Sequence, residues 1–210
     1  MRITFVMPVG GISGGNRVVA LYAKRLVERG HTVHVVWQKL QPPKRLWRRW
    51  RRSLGLGKPR QQGSIYFDNT GVTQSIAASS GEVTAADLPD ADVVVATWWE
   101  TAFSVAAMPE SKGRKFYFVQ GHEVHDHLPS HISRATYYLP LKKITISQWL
   151  ADIMADEYGD HDVGIVKNSV DTGQFDAPAR VKNATPTVGF MYSFKKVKGL
   201  DIALAAISPG

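Results

Sequence analysis

The sequence contains no cysteine, which excludes disulfides and thiolate chemistry and agrees with a reducing compartment. It has no apolar run near the roughly 18 residues that a membrane-spanning helix needs. Its opening, MRITFVMPVG, stops at Pro8 and the glycines that follow. It lacks the longer apolar core and small-residue cleavage site of a secretory leader, and reads as a strand. Acidic residues are missing from one place. Between Lys44 and Arg60 there are eight lysines and arginines and no aspartate or glutamate. The chain carries 26 basic and 18 acidic residues; 26 less those eight leaves 18, equal to the acids, so the net charge of +8 reports one local segment. What is present suffices for a core: 210 residues, 44% hydrophobic and 10% aromatic, fit one large domain or one domain and part of another.

The apolar pattern alternates between strand and helix. Arg2 to Val6 reads as a buried strand. Val18, Val19, Tyr22, Leu26 and Val27 then recur at helical spacing, with Lys24, Arg25 and Glu28 on the opposite face and Gly30 placed to end the helix. HTVHVVW, from His31 to Trp37, is a second strand. This strand–helix–strand unit is the building block of a parallel sheet. Further strands are expected over Ala91–Trp99, Arg114–Gln120, Lys142–Ser147 and Val163–Asn168, and helices over Thr101–Ala107 and after Ser147, the latter stopped by Gly159. Residues 172 to 186 read as a linker, punctuated by Gly173, Pro178 and Pro186. A strand over Thr187–Ser193 and a helix from Lys198 follow. The fold class is therefore α/β, a Rossmann-like parallel sheet with helices on both faces.

Four glycines lie within GGISGG, residues 10 to 15, between the first strand and the first helix. They make a tight turn, or they let main-chain N–H groups approach an oxygen-rich ligand at a helix N-terminus. Neither the P-loop nor the dinucleotide fingerprint matches, since Gly15 is followed by Asn16-Arg17.

Several blocks in order carry a resemblance. MPVGGISGGNRVVALYAKRLVERGHTVHVV, ITISQWLADIM, VKNSVDTGQF and VGFMYSFKKVKGLDIALAA resemble the family-4 glycosyltransferases, whose GT-B fold sets two Rossmann-like domains across a cleft. In the third block Asn168, Val170, Asp171 and Phe175 match and Ser169 replaces a glycine; in the fourth, Lys198-Gly199 matches a Lys-Gly pair. The resemblance implies a glycosyltransferase, or its N-terminal domain, moving sugar from a nucleotide-sugar donor to a glycan or lipid-linked acceptor in polysaccharide biosynthesis. No metal or other cofactor is implied; the nucleotide-sugar is a co-substrate. Residues 1–176 are expected to form the acceptor-side N-terminal domain and 177–186 a linker. Residues 187–210 are expected to be the first strand and helix of a truncated donor-binding domain, because the family's paired glutamates have no counterpart before Gly210. A non-catalytic fragment that binds acceptor or membrane surface only is the second reading.

The resemblance also assigns residues. Donor diphosphate contacts fall on Gly14, Gly15, Asn16, Lys195 and Lys198, with Ser193 standing where the family has an arginine. Lysines and backbone N–H groups there would stabilise the departing negative charge. His122 and Glu123, in FVQGHEVHDH at a strand end where open sheets place ligands, are the candidate catalytic residues. A metal reading of that loop competes, but HEVHD is one residue short of the zincin spacing. Trp98, Ser147 and Asn168 are candidate acceptor or sugar contacts, Trp98 having core packing as its alternative. In KRLWRRWRRSLGLG, residues 44 to 57, Trp47 and Trp50 with Arg48, Arg49, Arg51 and Arg52 suit a helix on an anionic membrane surface. Nucleic acid and a solvated loop are its rivals. The expected location is cytoplasmic, peripheral on the inner membrane face.

Overall fold

The computed structural model describes residues 1–41, 62–125, 128–169, 172–179, 181–190, 192 and 198–207. The basic segment with Trp47 and Trp50, Lys195, and the end of the histidine loop at Asp126 and His127 lie outside these residues. The chain divides into two compact units, Met1–Ser169 and Val170–Gly210.

The first unit is a parallel sheet of seven strands. They are β1 (Arg2–Met7), β2 (Thr32–Lys39), β3 (Thr73–Ser80), β4 (Val93–Ala96), β5 (Arg114–Val119), β6 (Lys142–Thr145) and β7 (Gly164–Ile165), in the order β3-β2-β1-β4-β5-β6-β7. Every neighbouring pair is parallel. Among the described residues of this unit the α-helices are α1 (Gly14–Glu28), α2 (Trp99–Ala106), α3 (Ser130–Thr136) and α4 (Gln148–Tyr158). Right-handed crossovers explain where they lie. From β1 to β2 the chain steps one way along the sheet; from β4 to β7 it steps the other way, so α1 covers one face and α2 to α4 the opposite one.

Alternation along the strands feeds both layers. Ile3, Phe5 and Met7 of β1, Val33, Val35 and Trp37 of β2, Val95 and Phe118 pack with Val19, Ala20 and Ala23 of α1. On the other face Val6, Val36, Val94, Ala96, Tyr117 and Val119 pack with Ala102 and Val105 of α2 and Met154 and Tyr158 of α4. Burial of each such aliphatic side chain contributes about 1.5–3 kcal/mol before the entropy of ordering. The helix signals act as their chemistry requires. The Ser13 hydroxyl accepts the Asn16 N–H at 3.1 Å, and Ser147 caps α4 in the same manner. Gly30 and Gly159 follow their helices at φ +83° and +70°.

Three elements differ from the sequence reading. The strand expected over Val163–Asn168 shortens to Gly164–Ile165, an edge strand paired only to β6. The strand expected over Thr187–Ser193 does not form among residues 187–190 and 192; a lone strand has no partner for its backbone groups. Conversely TQSIAASS forms edge strand β3, although its small polar residues carry no strand pattern. Pairing to β2 supplies what the composition does not. In the second unit α5 (Thr172–Phe175) and α6 (Leu200–Ile207) are the described helices, and α6 has no buried residue.

Candidate functional site

Strand order reverses between β1 and β4, and open α/β sheets place their ligands beside the loops that leave the carboxyl ends of the strands at such a point. Thr97, just after β4, donates its hydroxyl to the Val6 carbonyl at 2.9 Å and so ties the two strand ends together. The glycine loop follows β1, Trp98 follows β4, and the histidine loop follows β5.

The four glycines divide into two pairs. A Cβ on Gly10 would lie 1.8 Å from the Gly63 carbonyl oxygen, and Gly11 sits at φ +143° with its N–H donating to that same oxygen at 2.8 Å. Packing therefore demands glycine at position 10, and backbone conformation favours it at position 11. Gly14 has open space where a side chain would be, and a Cβ on Gly15 would touch only the Gln120 side chain, at 3.4 Å. Neither has a left-handed backbone, and the amides of both donate to nothing among the described residues. They are the first two residues of α1, where free N–H groups and the helix dipole present positive potential. Asn16 is spent differently: it is buried, and its side-chain amide donates to the Gly11 carbonyl at 2.9 Å, bracing the loop from inside.

Gln120, the residue after β5, was not among the sequence candidates. Its carboxamide stands against Gly15 and has no hydrogen-bond partner among the described residues. Its only sequence signal is position, a polar residue at the carboxyl end of a central strand. The contact joins the β5 end to the start of α1.

His122 is half-enclosed, with 15% of its side chain exposed. Its Nε2 lies 2.7 Å from the Tyr158 hydroxyl, and Arg134 donates to that hydroxyl at 3.4 Å. The Tyr158 hydroxyl, with one hydrogen to give and two lone pairs, can serve Arg134 and either tautomer of His122. Burial lowers the His122 pKa; the Glu157 carboxylate opposes this and the Arg134 and His125 charges add to it. Nδ1 is the ring nitrogen that Tyr158 does not engage. Burial also pushes the Tyr158 phenol up to about 12, so it stays protonated at neutral pH.

Glu123 points the other way. It is 5% exposed, and its Oε2 accepts the Trp99 main-chain N–H at 2.9 Å and the Tyr117 hydroxyl at 3.3 Å. Burial raises its pKa to about 8, against the lowering effect of those two hydrogen bonds. Folding therefore takes up a proton at Glu123 between the ordinary value of 4.5 and about 8. Its contribution falls as pH rises through that window. Thermal melts of Glu123→Gln are expected to lack that downward slope, with the variant the more stable above pH 8; an unchanged slope contradicts a protonated carboxyl.

The remaining candidates are on other elements. Trp98 is half-buried at the start of α2, its N–H donating to the Thr101 hydroxyl at 3.1 Å. Ser147 accepts from the Leu150 N–H at 3.4 Å as the cap of α4. Asn168 is exposed after β7, and Lys198 is exposed in the second unit. Among the described residues no three histidines, aspartates or glutamates converge as a metal cluster would require, and no helix is long and apolar enough to cross a membrane. An apolar groove of about 250 Å³ lined by Val93, Val95, Phe116, Phe118 and Ile144 lies on the sheet face beside α1, away from this edge, and exposes no polar group to hold a sugar.

Parallel strands with helices on both faces and a reversal of strand order at the centre define an open, doubly wound α/β domain. The family model Glycosyltransferase Family 4 matches residues 12–174, and the chain belongs to that family, with a glycosyltransferase-type function. The match takes in the second half of the glycine loop, the histidine loop and the block through Asp171. A comparison with curated proteins gives no match. Among solved structures, a dodecameric FMN-dependent Ubix-like decarboxylase from Escherichia coli O157:H7 is similar at 12% identity, over 86% of this chain and 85% of that one. Its TM-score of 0.30 carries no argument about this chain.

Proposed function

We propose that this chain supplies the acceptor-side half of a sugar-transfer site, in which a nucleotide-sugar donates to a glycan or lipid-linked acceptor. The observation that carries the reading is the pair of Gly14 and Gly15 amides beside the Gln120 carboxamide, all without a hydrogen-bond partner among the described residues. Departure of the nucleoside diphosphate leaves negative charge on oxygen and positive charge on the anomeric carbon. Preorganised N–H groups and a helix N-terminus favour the first. Gln120, with a donor and an acceptor on one planar group, suits a sugar hydroxyl. The His122 ring, able to donate or accept a hydrogen at Nδ1, suits a sugar oxygen.

By family resemblance, Lys195 and Lys198 would add charge at the diphosphate, and Trp98, Ser147 and Asn168 would meet acceptor or sugar. The basic segment leaves the sheet at the same edge. Before it, Leu40 donates its N–H to the Gln62 side chain at 3.1 Å, and after it Gln62 donates back to the Gln38 carbonyl at 3.0 Å, so the two ends are held side by side. Trp47 and Trp50 with Arg48, Arg49, Arg51 and Arg52 would then bring an anionic membrane surface, the source of a lipid-linked acceptor, to the crevice mouth. The setting would be cytoplasmic.

Titration of the isotope-labelled chain with UDP-glucose, GDP-mannose and short oligosaccharides tests this. The expected result is chemical-shift change at Gly14, Gly15, the Gln120 side chain and His122. Change confined to the amino edge around Arg114 and Lys142, or none with any ligand, overturns the reading.

A further inference from the structure

We propose that Glu123 is a positioning residue of the sugar-transfer site, a buried clasp that holds the His122 loop to the start of α2 and to the middle and end of α3, and sets the direction of the His122 ring. This deepens the reading above and rests on it.

All the hydrogen-bonding capacity described for Glu123 is turned inward. Its side chain receives hydrogens from the first residue of α2, at Trp99, and from β5, at Tyr117. Its main-chain N–H donates to the Tyr137 hydroxyl at 2.9 Å, and its carbonyl accepts the Ser133 hydroxyl at 2.6 Å. Four bonds from four positions thus converge on the residue next to His122. The Tyr137 ring, held by one of them, lies 5.6 Å from the His122 ring and 4.8 Å from that of Tyr158. It stacks on Tyr117 at 5.9 Å and 12°. The packing behind His122 is therefore assembled by the atoms that bind Glu123, and so is the start of α2 that carries Trp98. A group this enclosed does not touch an incoming sugar. A carboxyl that keeps its proton to about pH 8 also does not suit a base at neutral pH.

The groups facing His122 are Tyr158 and Glu157 from α4, Arg134 and Tyr137 from α3 and its end, and His125 from its own loop. None of them is altered by a change at Glu123, so a change in His122 reports its placement.

The test combines two variants with two readouts. Glu123→Gln keeps the shape and the neutral acceptor; Glu123→Ala removes both side-chain bonds. The Cε1–H resonance of His122, assigned by its loss in His122→Gln, is followed against pH in the full chain. With Gln, its position and midpoint are expected to match those of the unaltered chain. With Ala, the resonance is expected to broaden or move and the midpoint to rise toward about 6.5, the value of a free imidazole. If Glu123→Ala fails to fold, Tyr117→Phe and Ser133→Ala each remove one of the four bonds, and smaller displacements in the same direction are expected.

In transfer assays Glu123→Ala is expected to lose about 100-fold in kcat, as displacement of a reacting group by about 1 Å does, with Gln restoring it to within a few-fold. An unmoved His122 in the folded Ala, Phe and Ser variants overturns the clasp. A Gln variant as inactive as Ala, with His122 in place, makes Glu123 a reacting group instead. The resonance readout needs no substrate, so a chain that transfers no sugar counts against the functional reading alone.

Discussion

Asp160→Ala is expected to destabilise the first unit by about 3–5 kcal/mol, because it strands a buried ammonium. The Lys143 side chain, on the α4 face of β6, is 4% exposed, and its Nζ lies 2.6 Å from Asp160 Oδ2. Asp160 follows the left-handed Gly159 that ends α4 and donates its N–H to the Met154 carbonyl at 2.9 Å, so the pair fastens the helix end to the sheet. Lys143→Met in the same chain is expected to restore most of the loss, since a packed apolar side chain needs no counter-charge. Urea unfolding of the two single variants and the double variant measures this; a loss below about 1 kcal/mol, the range of exposed pairs, contradicts it.

The pair also sets an acid limit. Burial pushes the Asp160 pKa up, but the Lys143 hydrogen bond and charge, the Asp162 N–H and the Lys142 charge hold it below its ordinary 3.8. A depressed folded value contributes stability that is present above 3.8 and lost as pH falls through the folded value.

Gly10→Ala is expected to cost about 3 kcal/mol, the upper end of overpacking penalties, because the obstruction is backbone. The new methyl would meet the oxygen, nitrogen and carbonyl carbon of Gly63 at 1.8, 2.2 and 2.3 Å. Relief requires moving residues 62 to 64, which breaks the Gly11–Gly63 hydrogen bond and strains the Gln62 bonds to Leu40 and Gln38. Gly14→Ala, four residues later, meets no atom within 4 Å and improves helix propensity, so the fold should gain or stay level. Denaturant midpoints of the two variants check this: equal midpoints contradict the division of the loop into a packing half and a ligand half. If Gly14→Ala keeps its stability and loses the ligand-induced shifts, the ligand half has been isolated.

Much of the fold was legible because its causes are local. Val18, Val19, Tyr22, Leu26 and Val27 fall on one helical face whatever surrounds them, and Gly30 and Gly159 stop helices because a left-handed residue there needs no Cβ. β3 was not legible, since TQSIAASS becomes a strand only when β2 offers it an edge. The missing strand near Val188 is the converse, a strand-like stretch without described pairing.

The site divides along the same line. Sequence alone determined the α/β alternation, the helix caps, the position of the glycine and histidine loops at strand ends, and the concentration of basic charge between Lys44 and Arg60. Only the tertiary structure decided that Gly10 answers to Gly63 while Gly14 and Gly15 do not. The same holds for Gln120 standing beside Gly15 and for Glu123 turning inward to Trp99 while His122 meets Tyr158. The physical reason is range: periodicity and capping act over one or two turns of chain. The direction of a side chain at a strand end is chosen by partners many residues away, which become neighbours only once the sheet has assembled.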